Sequence, residues 1–135
     1  GLPGVFRGSN FRGYENEGNR FADYTEKAFP DIPFFVGELW AGRAIYWGEP
    51  YHKRDPKLAV AAFKESLNRG FVNFYMFSGG TNFGFFSGAI IGKSFTPRPD
   101  TPARFIAHTT SYDEDAPVSE GGLPKEKIIS AVGVG

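Results

Sequence analysis

Glu38 stands near the end of an apolar run, "IPFFVGELW", with Gly37 before it and Leu39-Trp40 after it. A carboxylate carried to the end of a buried strand is costly unless it is paired, hydrogen-bonded or facing a cleft. Two arrangements offset that cost. One is a structural ion pair, for which Arg43 and Lys64 are the nearby cations. The other is a carboxylate held in a semi-apolar site as nucleophile or proton carrier. Trp40 favours the second, because a sugar packs its apolar face on an aromatic ring while its hydroxyls need polar partners.

Other residues could do chemistry, and most have a plainer explanation. Glu15 and Glu17 in "YENEGN" offer a pair of carboxylates, but their place before a helix puts them on the edge opposite the end of the following strand, solvated. His52 has no histidine nearer than His108, and the chain has no cysteine, so a zinc site is not expected. "GGTNFG" lacks the lysine of a phosphate loop. "RGFVNFYMF" matches the aromatic RNA-binding strand of RRM modules only in part. Asp113, Glu114, Asp115 and Glu120 form an acidic stretch of the kind that normally makes a solvated turn.

The elements that must position Glu38 follow from periodicity. Asn19 to Phe29 places Phe21, Tyr24, Thr25, Ala28 and Phe29 on one helical face, with Asn19 as cap and Pro30 as stop. Ile32 to Leu39 is a near-continuous apolar run of strand length, the pattern of a parallel strand covered on both faces. Asp55 as cap, Pro56 in the first turn, Leu58, Ala61, Ala62 and Leu67 at helical spacing and Gly70 past the end define a second helix. Phe71 to Phe77 is again short and β-prone. Helix, strand, helix, strand predicts an α/β fold with parallel strands, so Glu38 and the residues around Ser78 emerge on one sheet edge, where α/β proteins bind ligands. From Gly79 onward periodicity fades, and long functional loops are expected, with a short helix near Lys125 to Ala131.

Length allows one domain at most. Lysine plus arginine equals aspartate plus glutamate at 15 each, which gives no electrostatic footing for nucleic acid, and no apolar stretch approaches a membrane span. The 15 Phe, 6 Tyr and 2 Trp beside 18 Gly and 10 Pro suit a ligand surface more than a self-contained small domain. From a start at Gly1-Leu2-Pro3 and a trailing Ala131 to Gly135 a piece cut from a longer protein is expected, the alternative being a processed mature protein.

Three stretches in order, "FVGELWAGRAIYWGEPYH", "FVNFYMFSGGTNFGFFSGA" and "TTSYDEDAPVSEGG", resemble the glycoside hydrolase family 35 β-galactosidases over about residues 30 to 127. That family's pattern is roughly Glu-Phe-Trp-x-Gly-Trp, then Asn-x-Tyr-Met-Phe-x-Gly-Gly-Thr-Asn-Phe-Gly, then Thr-Ser-Tyr-Asp-Tyr-Asp-Ala-Pro. The resemblance implies a TIM (β/α)8 barrel that retains anomeric configuration, with residues 1–135 supplying its last two strands and the loops after them. It places the nucleophile on Glu38 and substrate contacts on Trp40, Tyr75, Tyr112 and position 114, and lets Gly79, Gly80, Thr81 and Asn82 shape the turn after the last strand. It implies no cofactor and no metal, a galactoside or oligosaccharide as substrate, no nucleic-acid or membrane partner, and a secreted, periplasmic or lysosomal setting.

The chain departs from the pattern in three ways. No residue matches the family's acid/base, since Asn16-Glu17 imitates the Asn-Glu pair but lies too close to Glu38 for the intervening strands. Glu114 replaces the second tyrosine of the Tyr-Asp-Tyr-Asp run, and Arg43 replaces the second tryptophan of the nucleophile motif. A retaining glycosidase needs two carboxyl groups roughly 5–5.5 Å apart, and a whole barrel needs about 250 residues. The isolated chain is therefore expected to be inactive, to need the remainder of its own catalytic domain, and to expose the apolar sides of its two strands. A non-catalytic carbohydrate-binding relative and a β-glycosidase of other sugar preference are the alternatives.

Overall fold

A computed structural model describes residues 5–92, 104–126 and 128 of the chain. Its described elements run β1 (Ser9–Phe11), α1 (Glu17–Ala28), β2 (Phe34–Leu39), α2 (Pro56–Leu67), β3 (Gly70–Phe74), β4 (Ala89–Gly92) and β5 (Arg104–Ala107). β1, β2 and β3 form a parallel sheet in that order, with β2 in the centre. The parallel pair read from the sequence is present, and β1 extends it by a strand whose three residues are too few to show a period.

The core follows from the apolar runs. Phe11, Ala22, Phe34, Val36 and Leu39 are buried together, with Phe21, Phe63, Val72 and Phe74 packed on them. Phe11 stacks on Phe21 at 5.0 Å, and Phe63 tilts against Phe74 at 5.0 Å. The two strands are thus not bare: helices and β1 cover Phe34, Val36 and Leu39, and the exposed aromatic is Phe71 on β3. Among the described residues no helix is long and apolar enough to cross a membrane.

The second helix forms as its signals require. The Asp55 side chain accepts the Lys57 N–H at 2.8 Å, and Pro56 occupies the first turn, where its missing N–H costs nothing. The first helix begins at Glu17 rather than at an Asn19 cap. Asn16, in the left-handed region, is the N-cap without a side-chain bond, and Glu17 instead accepts the Tyr14 N–H at 3.0 Å. Its buried line is Gly18, Ala22 and Thr25, while Tyr24 is exposed, because small residues let the two helices approach closely. A Cβ on Gly18 would lie 2.7 Å from Ser66 Oγ.

β4 and β5 pair antiparallel where only loops were expected. Four-residue strands separated by a proline-rich stretch carry too little alternation to be recognised, although Ile90 and Ile106 do turn inward onto Ala44, Tyr46 and Tyr112. Of the short helix expected over 125–131, Glu126 and Ile128 are helical, and the remainder past Lys125 lies outside the described residues.

Candidate active site

Parallel pairing brings the chemistry to one edge. Asn10 is level with Glu38, and Leu39 pairs with both Phe11 and Phe74. Beyond these residues the chain is still held: Trp40 N–H donates to Phe11 O at 2.9 Å, Tyr75 N–H to Leu39 O at 2.8 Å, and Ala41 N–H to Tyr75 O at 3.1 Å. Trp40 and Tyr75 are therefore fixed side by side at the carboxyl end of the sheet. β1 also brings the segment after it, Arg12 to Glu17, to this same edge, correcting the placement of Glu15 and Glu17 opposite it. Neither acid lines the cavity described below; Glu15 is exposed and Glu17 pairs with Arg20 at 3.6 Å.

The Trp40 indole Nε1–H donates to Glu38 Oε2 at 2.8 Å. Of the two cations foreseen for a structural pair with Glu38, Arg43 has other carboxylates: its Nε donates to Glu114, and its Nη2 lies 4.0 Å from Glu49. The Tyr75 and Tyr112 hydroxyls share a hydrogen bond of 2.8 Å, their rings edge to face at 6.4 Å. Burial, the Tyr75 hydrogen bond and, more weakly, the charge of Glu38 push the Tyr112 phenol well above its ordinary range, so it stays protonated and able to donate.

Tyr112 is placed by a segment that zips between two others. Thr109 N–H donates to Ile45 O, Tyr112 N–H to Gly80 O, Asn82 N–H to Thr110 O and Val118 N–H to Phe77 O, all between 2.7 and 3.0 Å. This requires Gly79: a Cβ there would sit 1.7 Å from the Tyr112 carbonyl oxygen. Gly80 adopts a φ of +62°, a conformation glycine takes without strain. The turn-shaping role expected for these two glycines has this geometry behind it.

Of the acidic stretch only Glu120 is exposed; the other three acids are not in a solvated turn. Asp113, Glu114 and Asp115 are 9%, 3% and 7% exposed. Asp113 accepts the Lys125 ammonium at 2.7 Å and the Glu120 N–H at 2.7 Å; Asp115 accepts the Arg54 N–H at 2.7 Å. Glu114 takes the Arg43 guanidinium and the His52 N–H, the latter at 2.6 Å. Expected as a ligand contact, Glu114 is instead inside the wall, and Arg43 is the member of the pair that lines the cavity. The sequence signal for this was the Arg43 departure, which has opposite charge to the Glu114 departure.

That cavity has a volume of about 590 Å³, within the range of small-molecule sites. Trp40, Tyr75 and Tyr112 line it together with Arg12, Arg43 and His52; Glu38 is not in its lining and adjoins it through Trp40. Sequence reasoning overlooked Arg12, whose guanidinium lies 6.0 Å from the Trp40 ring, and Arg54, which donates to Trp40 O and to Arg12 O at 2.8 Å. Burial lowers the pKa of Arg54, yet an arginine stays charged. His52 and His108 do not converge on a metal: among the described residues no three His, Cys, Asp or Glu side chains form a group that could hold one.

The profile of the glycosyl hydrolases family 35 matches residues 3–132. A β-galactosidase from Xanthomonas manihotis is 38% identical over 128 residues, covering 94% of this chain and 20% of that protein. A β-galactosidase-1-like protein from Mus musculus is 38% identical over 102 residues, covering 75% of this chain and 14% of that protein. The Homo sapiens β-galactosidase is 35% identical over 105 residues, again 14% of its length. The chain thus spans about a fifth or less of these relatives, and it belongs to glycosyl hydrolase family 35.

Proposed function

We propose that this chain is the nucleophile-bearing part of a retaining β-galactosidase barrel and hydrolyses terminal β-galactosyl residues only together with the rest of its catalytic domain. The observation that carries this is the Glu38–Trp40 hydrogen bond at the carboxyl edge of a parallel sheet, beside the Tyr75–Tyr112 pair. In the first step a Glu38 oxygen bonds to the anomeric carbon as the bond to the leaving oxygen breaks, and an acid from outside the chain protonates that oxygen. In the second step the same outside group takes a proton from water, which attacks the anomeric carbon and releases Glu38.

The indole N–H orients the carboxylate, so one oxygen is held while the other attacks. One hydroxyl proton of the Tyr75–Tyr112 pair is taken up by the other hydroxyl, and the remaining proton donates toward the negative charge that returns to Glu38 as its bond to the sugar breaks in the second step, which preorganised donors do most effectively in a low-dielectric site. Trp40 supplies the apolar face for the sugar. A second reading, a β-glycosidase of other sugar preference, is favoured by the Arg43–Glu114 pair standing at two positions where the family pattern has aromatic rings.

The test is turnover of a nitrophenyl β-galactoside by the full-length protein and by residues 1–135 alone. Full-length protein should turn over and lose at least about 10⁴-fold in kcat in Glu38→Gln; the isolated chain should show none. Unchanged turnover in Glu38→Gln, or saccharide binding by wild type without turnover, would contradict the proposal, the second outcome favouring a non-catalytic binding protein.

A further inference from the structure

Two positions separated by seventy residues of chain, each carrying a charge where the related pattern carries an aromatic ring, meet in space. Arg43 Nε and Nη2 face the two oxygens of Glu114, the second at 3.4 Å. The backbones of the same two residues also exchange bonds, Arg43 N–H to Glu114 O at 3.2 Å and Glu114 N–H to Arg43 O at 3.0 Å. The guanidinium further lies 5.4 Å from the Tyr46 ring and 4.0 Å from Glu49. Gly42 packs its backbone on Ala116, where a Cβ would come within 2.8 Å, so the loop carrying Arg43 cannot slide along its neighbour.

The two changes are coupled. Glu114 is 3% exposed, and a carboxylate that deep without its arginine is strongly unfavourable, while an arginine facing a tyrosine would lose the carboxylate that its Nε and Nη2 face. Changed together, they convert a stacking wall into a hydrogen-bonding one. An arginine side chain ordinarily loses much rotamer freedom on binding a ligand; here carboxylates, ring and backbone have already fixed it.

We infer, resting on the glycosidase reading above, that Arg43 and Glu114 act as one specificity unit. Arg43 faces the sugar, and Glu114 is a positioning residue that acts through it. Because Glu114 and Glu49 offset the charge of Arg43, the unit selects neutral sugars by the direction of their acceptor oxygens rather than by an apolar face or an acidic group.

The experiment compares dissociation constants of nitrophenyl β-galactoside and nitrophenyl β-glucoside for full-length wild type, Glu114→Gln, Arg43→Trp, Glu114→Tyr and the Arg43→Trp/Glu114→Tyr double variant, alongside turnover. Glu114→Gln, which keeps shape and volume, should weaken the preferred sugar about tenfold and change the ratio of the two constants, the loss falling on binding more than on kcat. Each aromatic single variant should lose more than that, and the double variant should recover most of the loss with its sugar ratio shifted. Additive single effects, or a sugar ratio unmoved by Glu114→Gln, would overturn the inference. A ratio shifted by Glu114→Gln when wild type shows no turnover would uphold the inference and sink the glycosidase reading; normal wild-type turnover with an unmoved ratio would do the reverse.

Discussion

Residues 113–115 and residues 83–86 invert what their compositions imply. Asp113, Glu114 and Asp115, three consecutive acids, are buried: Asp113 ties Lys125 to the site wall, Glu114 ties Arg43 and His52, and Asp115 ties Arg54. Phe83, Phe85 and Phe86, in an aromatic loop suited to a core or a ligand, are 78%, 104% and 88% exposed. The difference lies in partners. Each acid meets a cation or an N–H supplied by this chain, so its desolvation is offset locally. The aromatic loop has no apolar counter-surface among the described residues, so its burial depends on something beyond them.

The comparison breaks most severely at Arg43. Arg43→Leu leaves Glu114 buried without its ion-pair partner, and denaturant titration should show a loss of about 3–5 kcal/mol; an unchanged midpoint would mean that water reaches Glu114. Gly79→Ala attacks the backbone contact that seats Tyr112, and overpacking of about 1–3 kcal/mol is expected, together with weaker saccharide binding. Phe85→Ser sharpens the contrast from the other side. In residues 1–135 alone it should change stability by less than about 0.5 kcal/mol, whereas in the full-length protein a cost of 1 kcal/mol or more is expected on the order of a buried aromatic's partial loss. Equal effects in the two contexts would show that nothing covers the loop.

Much of the frame was legible because its signals are local. Asp55-Pro56 starts a helix by hydrogen-bond geometry, and the run from Phe34 to Leu39 makes a central strand, paired on both edges, that buries Phe34, Val36 and Leu39. Glu38 and Trp40 could be singled out for the same reason: a charge at the end of such a run requires an explanation. β1 and the antiparallel β4–β5 pair were not legible, since strands of three or four residues are held by pairing across the chain and not by their own pattern. The buried acids were hidden likewise. Nothing next to Glu114 in the sequence announces Arg43, and only the fold brings a cation from the loop after β2 against it. The helical face of α1 was legible at Phe21 and Thr25 but not at Tyr24, because Gly18 and Ala22 allow a close helix contact that leaves no room for its bulk.

The most direct measurement is to incubate the full-length protein with a 2-fluoro-galactosyl donor, which forms the glycosyl ester but hydrolyses it slowly, and to map the labelled peptide. The account predicts a single adduct on Glu38, absent in Glu38→Gln. An adduct on any other carboxylate, Glu15, Glu17 or Glu114 included, would contradict it.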